Sequence, residues 1–523
     1  MKKRSKLWGV LATTLMTLPL LGGVLAAGTA QATEVAEVET TSITVNKRVW
    51  DEGQMPDNIL NSGEEMSNFG GEPLAGAGFT LYDASARYYE LVDGGSTPAE
   101  AVATIQTEAE SGLPAGATNL GVEQETAADG HTTFANLPLK NAAGKDAVYL
   151  ILETSTPTTP TITKKAVPMV VTMPVYKVEI DGEGNPVLVD GKIQYTDELN
   201  TNIQLYPKNE TAEATKEFTN IDDFETNVTI AGEEYKNVTT GDVFEYQLNV
   251  PIPANIADPT QVSSFVITDM PDEGLEYQAE TVAIPGLEAT DYSVTEQAGG
   301  FTITLDVASN AVKALAGQTL IITYDMKLTA EVVPDTGLKN SASVTVNNES
   351  TTEITPPTGV TTSGKKFVKT DAHTGDELAG AKFVVQNAAG EYATFTRSST
   401  NEYVFESWVT EQASATEVES AATATVGGPG VGEIWIKGFV NGDYKLIETQ
   451  APSDEYVKLS EAIEFTITNP GYSTEELTNV TNTPKGLLPS TGGNGIYAFL
   501  AIGLALMTGA VIWYKRSKED VAV

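Results

Sequence analysis

Nucleophile chemistry has few places to start in this chain. There is no cysteine, and the only imidazoles are His131 and His373, so thiolate nucleophiles, disulfides and cysteine-based metal sites are excluded. No H-E-x-x-H, G-x-S-x-G or EF-hand loop occurs, which leaves a hydrolase without recognisable machinery. Carboxylates number 71 against 31 lysines and arginines, too many for paired acids to single out a site. Amines remain. In Tyr206-Pro207-Lys208-Asn209 a strand end with a proline stop presents one lysine amine at a domain boundary.

The elements that would position such groups lie between two addresses. Lys2, Lys3, Arg4 and Lys6 precede an apolar stretch from Leu7 to Ala27 and an Ala30-Gln31-Ala32 cleavage site, the pattern of a secretory signal peptide over residues 1–32. At the other end, Ile496 to Tyr514 carries no charge and is followed by Lys515, Arg516 and Lys518. This is a membrane span whose basic flank stays cytoplasmic, so the body is extracellular. The whole chain has a formal net charge of -40, which argues against nucleic acid as a partner, because phosphate binding needs a cationic footprint. Its 523 residues suggest about three domains. Divisions after Tyr206–Glu210 and within Thr355–Gly359 give segments 33–210, 211–356 and 357–486, followed by 487–523. Alternation at Phe244, Tyr246, Leu248 and Val250, at Phe301, Ile303, Leu305 and Val307, and at Leu320, Ile322, Tyr324, Met326 and Leu328 predicts half-buried strands and a β-sandwich of immunoglobulin type. One helix is expected, capped by Thr97 with Pro98 at its first position and Glu100 completing a capping box before Ala101 to Glu110.

Leu488, Pro489, Ser490, Thr491 and Gly492, followed by the apolar span and the basic tail, resemble the LPxTG cell-wall sorting signal of Gram-positive surface proteins. In that family a sortase cuts after the position matching Thr491 and passes its carbonyl to an amine. Segments one and three resemble each other: Gly71 to Phe79 corresponds to Gly375 to Phe383, and Tyr149 to Thr154 to Tyr444 to Thr449. Both are similar to the B-type collagen-adhesin modules of Gram-positive pilins, and the middle segment to the A-type module. The resemblance implies an all-β chain of three tandem immunoglobulin-like β-sandwich domains, B-type, A-type and B-type, plus the signal peptide and the C-terminal transmembrane sorting helix.

In that family each module carries an internal isopeptide bond, formed when a lysine on the first strand attacks an asparagine on the last beside a buried acid. Burial favours the neutral, nucleophilic amine and the protonated carboxyl that polarises the amide. By resemblance the sets are Lys47 and Asn209 with Glu153, Lys216 and Asn340 with Asp269, and Lys366 and Asn482 with Glu448. Ile203 to Asn209 is similar to the pilin motif W-x-x-x-V-x-V-Y-P-K-N, with Leu199 at the tryptophan position, which makes Lys208 the inter-subunit lysine. The resemblance implies the shaft subunit of a sortase-assembled, wall-anchored surface pilus, joining Thr491 of one copy to Lys208 of the next. Its partners would be sortase, other pilin subunits and peptidoglycan, with the membrane only transient. No cofactor, metal or external catalysis is expected. The alternative is a minor pilin or monomeric wall-anchored adhesin that binds host matrix proteins.

Overall fold

The computed structural model describes residues 40–56, 62–181, 186–189, 192–347, 349–350, 353–474, 476–486 and 495–519. The leader, residues 1–32, and the pentapeptide Leu488 to Gly492 lie outside the described residues. Two compact units divide the chain, Met1–Thr362 and Ser363–Val523. They hold three separate main apolar cores, two in the first unit and one in the second.

In the first module β1 (Thr40–Asn46) and β2 (Arg48–Asp51) follow one another with only Lys47 between them, and each is paired on both sides. β3 (Gly78–Asp83), β4 (His131–Pro138) and β5 (Val148–Ser155) follow, then the closing pair β6 (Asn202–Leu205) and β7 (Lys208–Thr211). The closing strands run parallel to the opening ones: β6 lies beside β1, and β7 beside β2 with Lys208 opposite Arg48 and Asn209 opposite Val49. Two helices interrupt the β scaffold, α1 (Ser85–Asp93) and α2 (Pro98–Ser111). α2 has the expected reciprocal capping box between Thr97 and Glu100. α1 has no side-chain cap, and it is the helix that cap chemistry could not announce. It is held against α2 by Arg87 paired with Glu108, while Ile105 of α2 packs with Ala84, Val148 and Leu150.

The middle module is a sandwich. One sheet orders β8 (Thr215–Phe218), β9 (Val243–Pro251) and β12 (Thr319–Leu328); the facing sheet contains β10 (Phe265–Pro271), β11 (Gly300–Leu305) and β13 (Asn340–Val346). The alternating apolar residues of β9, β11 and β12 all point into one core, as period-two strands require. Gly359–Thr361 pairs in parallel with Glu233–Asn237, so this short strand belongs to the middle module. The third module therefore begins at Ser363 rather than at the proline-rich stretch near 357, because backbone ladder bonds hold 359–361 to the preceding sheet.

The third module contains β14 (Ser363–Asp371), β15 (Lys382–Gln386), β16 (Glu433–Phe439), β17 (Gly442–Gln450) and β18 (Thr478–Asn482). β14 lies between antiparallel β16 and parallel β18. A final helix, Gly495–Glu519, contains 22 residues long and apolar enough to cross a membrane.

Candidate cross-linking sites

The first site assembles at the break between β1 and β2. Ile43, Val45 and Lys47 share a face by strand alternation, and all three are fully buried. The turn capping this break needs a glycine: the Lys47 N–H donates to the Gly130 carbonyl at 2.7 Å, Gly130 has φ +78°, and a Cβ there would lie 2.6 Å from the Lys47 carbonyl oxygen. The Lys47 ammonium donates to Asn209 Oδ1 and lies 3.5 Å from Glu153 Oε1. Asn209 Nδ2 donates to the same Glu153 oxygen at 2.8 Å, and the Ala166 N–H holds the other at 2.7 Å. Burial lowers the Lys47 pKa to about 8, against the opposing pull of Glu153. Lysine, acid and amide are thus in mutual contact inside a dry core.

The third module repeats the lysine–acid and amide–acid contacts, with one correction. Lys366 does not face Glu448 or Asn482; Lys369 does. Phe367 of β14 is fully buried, so alternation puts Lys369 on the core face with it and Lys366 on the opposite face. The Lys369 ammonium lies 3.8 Å from Glu448 Oε1 and donates to the Val480 carbonyl at 3.1 Å. Asn482 Nδ2 donates to Glu448 Oε2 at 3.1 Å, and burial lowers the Lys369 pKa to about 8 against the pull of Glu448. Lys369 sits opposite Val480 and Asn482 opposite Asp371, so the amide lies two residues ahead of the amine on the parallel neighbour. In the first module Asn209 opposite Val49 stands in the same relation to Lys47. The repeated segments explain the acids: Phe79 is the register partner of Glu153 and Phe383 of Glu448, and each phenyl ring lies 5.9 Å from its lysine ammonium.

Lys366 has another occupation. Its ammonium sits 4.2 Å from the Trp435 ring and 4.4 Å from the Tyr472 ring, a cation held between two aromatic faces. The Tyr472 hydroxyl donates to Glu402, which also receives the Lys437 ammonium at 2.7 Å. This network braces the segment before β18 against the outer face of the sheet.

In the middle site Lys216 of β8 donates to Asp269 Oδ2 at 2.6 Å and to the Ser341 carbonyl at 3.2 Å. The Asn340 Nδ2 donates to the Tyr324 hydroxyl at 3.1 Å, and that hydroxyl donates to Asp269 Oδ2. Burial lowers the Lys216 pKa to about 8 against the pull of Asp269, and burial raises that of Asp269 against the pull of Lys216. Both shifts favour the neutral pair. Tyr324 was not among the sequence candidates, because a tyrosine on an alternating core strand reads as packing.

Lys208 adjoins Asn209 on β7, so alternation turns one inward to the first site and the other outward. Its amine is half-buried rather than fully presented, and donates to the Pro56 carbonyl. Beside it, Tyr206 stacks on Phe69 at 4.7 Å between ring centroids, and Phe69 meets Trp50 edge-on at 5.9 Å.

These features define a class: a protein of β-modules, each with a lysine, an acid and an asparagine buried together, followed by a helix long and apolar enough to cross a membrane. Residues 38–210 match the family described as Gram-positive pilin subunit D1, N-terminal domain. Residues 363–481 match the SpaA prealbumin-like fold domain and 480–520 the LPXTG cell wall anchor motif. The chain is therefore a Gram-positive pilin carrying a cell-wall anchor. Among solved structures it is similar to the full-length RrgB pilus protein of Streptococcus pneumoniae, at 18% identity over 87% of this chain and 99% of that one, with a TM-score of 0.50. It is also similar to the major pilin SpaD of Corynebacterium diphtheriae, at 20% identity over 86% and 98% of the two chains and a TM-score of 0.41. A third is BcpA, the major pilin subunit of Bacillus cereus, at 16% identity over 85% and 99% and a TM-score of 0.40. At these identities the likeness is one of fold. No curated protein matches the chain by sequence.

Proposed function

We propose that this pilin is the shaft subunit of its pilus, polymerised when a sortase joins Thr491 of one copy to Lys208 of the next. The observation that carries the reading is the alternation at 208–209: one residue is buried in the first cross-linking site and its neighbour is held outward at the end of a strand. Each copy then offers one acyl donor and one acceptor at separate places, a head-to-tail geometry that grows an open filament. Within each copy, Lys47–Asn209, Lys216–Asn340 and Lys369–Asn482 condense to isopeptide bonds, with Glu153, Asp269 and Glu448 as the acids. The chain is the substrate of sortase and the single-turnover agent of its own cross-links.

Two measurements test this. Peptide mapping of the wall polymer is expected to yield a branched peptide joining Thr491 to Lys208; a polymer linked through another lysine would remove that assignment. The ectodomain, residues 33–486, is expected to weigh less than its sequence by three ammonia units of about 17 Da each, and full mass would remove the internal bonds.

The reaction should also have a characteristic pH profile at Lys216. The reactive pair, a neutral amine and a protonated carboxyl, carries the same single proton as the ion pair, so its population is greatest between the two titrations. Asp269 is raised and Lys216 lowered to about 8; above that value the shared proton is lost. The rate of Lys216–Asn340 bond formation is expected to fall about 10-fold per pH unit above the upper limb. A rate that kept rising beyond it would mean that the carboxyl proton is not needed.

A further inference from the structure

The middle site differs from its two neighbours in one connection. In the first and third modules the asparagine Nδ2 donates directly to a glutamate, at 2.8 Å to Glu153 and 3.1 Å to Glu448. There the amide strand is the parallel neighbour of the lysine strand in one sheet. In the middle module Lys216 belongs to one sheet while Asp269 and Asn340 belong to the facing one. The acid is also an aspartate, one methylene shorter. The hydrogen bond from Asn340 Nδ2 goes to the Tyr324 hydroxyl at 3.1 Å, and that hydroxyl donates to Asp269 Oδ2, which Lys216 also touches at 2.6 Å. Asn340 also bears on the Asp269 carboxyl directly, as the smallest of the influences on it.

We propose that Tyr324 is a catalytic residue of the Lys216–Asn340 condensation, carrying the proton of the Asp269 carboxyl to the departing amide nitrogen. The inference rests on the isopeptide reading above. The neutral Nζ attacks Cγ of Asn340; the protonated Asp269 carboxyl passes its proton through the Tyr324 hydroxyl to Nδ2 and takes in its place the one proton that Nζ gives up. The Nζ–Cγ bond forms, the Cγ–Nδ2 bond breaks, and Nδ2 leaves as ammonia after gaining one proton. Asp269 and Tyr324 end as they began, so the balance is amine plus amide giving substituted amide plus ammonia, with no oxidant or co-reactant. The hydroxyl already contacts both the acid and the leaving nitrogen, so reversing the two hydrogen bonds completes the transfer without moving a heavy atom far.

The site contains its own control. Tyr246 stacks on Tyr324 at 6.0 Å between ring centroids, and each ring lies 5.5 Å from the Lys216 ammonium. The Tyr246 hydroxyl is buried and has no hydrogen-bond partner among the described residues. Burial and distance to the ammonium are matched between the two rings; only one hydroxyl lies on the proton path.

The test follows the Lys216–Asn340 peptide by mass at set times after a pulse of synthesis of the full ectodomain, comparing Tyr324→Phe and Tyr246→Phe with the unaltered chain. Loss of a general acid–base group typically slows a step by about 10²–10⁴-fold. Tyr324→Phe is expected to slow this bond by at least ~100-fold, while Tyr246→Phe stays within about 2-fold of the unaltered chain and the Lys47–Asn209 and Lys369–Asn482 bonds form normally in both. Equal slowing in both variants, or normal bonding in Tyr324→Phe, overturns the proposal. Absence of this bond from the unaltered chain would instead remove the isopeptide reading of the middle module. A proton inventory on the unaltered ectodomain in mixtures of light and heavy water does not depend on the variants folding. Two protons in flight give a bowed dependence, and a linear one overturns the relay.

Discussion

Replacing Lys208 with alanine is expected to abolish the high-mass ladder of wall-linked polymer on cells, leaving monomer attached to the wall through Thr491. The magnitude follows from the chemistry: the acyl group carried by a sortase needs an amine, and a side chain without one is no weaker acceptor but none at all. A fall in polymer of at least about 100-fold is the expected reading on an immunoblot of wall extracts. Lys208→Arg should behave like alanine, because a guanidinium stays protonated and is a poor nucleophile at ordinary pH. The internal bond one residue away should survive both changes, since Asn209 is buried in the opposite direction and keeps its contact with Glu153. Mass mapping of the monomer therefore separates a failure to polymerise from a failure to fold. A ladder that persisted in Lys208→Ala would transfer the role to another lysine and favour a subunit that decorates a shaft rather than building it.

Why some of this was legible in the sequence and some was not follows from strand periodicity. Phe244 to Val250 and Leu320 to Leu328 advertise their sheets because the apolar residues recur at every second position over a long run. Thr97 and Glu100 advertise a helix because capping needs those groups at that spacing, whereas α1 has Ala84 at its cap position, with no capping side chain, and stays silent. Lys47 and Lys216 could be placed by their positions at the start of a module. The third could not, because Gly364-Lys365-Lys366-Phe367-Val368-Lys369 offers three lysines and the start of a module does not choose among them. Phe367 is the residue that must be buried, so parity excludes Lys366 and leaves Lys365 and Lys369, and it is the register with β18, Lys369 opposite Val480 and two residues from Asn482, that selects Lys369. The same parity holds for Val45 with Lys47 and for Phe218 with Lys216, and applying it would have excluded Lys366, but the choice between Lys365 and Lys369 needs the pairing with β18. Tyr324 had no such signal, since its role depends on the facing sheet, which no local pattern encodes.

Exchanging Lys369 for methionine tests that correction with the second large effect. The change keeps most of the apolar volume and removes the amine, so the ectodomain should regain one ammonia unit, about 17 Da, with Asn482 recovered as a free asparagine. Lys366→Met should leave the mass deficit unchanged. The bond in question closes a loop of roughly 110 residues, and a cross-link over about 100 residues removes some 4–5 kcal/mol of chain entropy from the unfolded state. For a module of this size that corresponds to a fall of about 15 °C in the third module's calorimetric transition. Lys366→Met forfeits only the contact with Trp435 and Tyr472, about 1–2 kcal/mol, and a shift of about 5 °C. The consequence for a shaft is mechanical. Tension entering at Lys208 and leaving at Thr491 runs along the chain through the middle and third modules, and the sequence before Lys208 is not on that covalent path. A Lys369–Asn482 bond ties the first strand of the third module to its last, so the load crosses the module through one amide. Without it the load must pass through the β14–β18 ladder, parallel strands pulled from opposite ends, whose hydrogen bonds share the load in shear but give way at forces a covalent amide withstands. Lys369→Met subunits should still polymerise through Lys208, yet their third module should extend at forces the unaltered module withstands in single-molecule pulling. Equal resistance in the two would mean that Lys369 carries no bond.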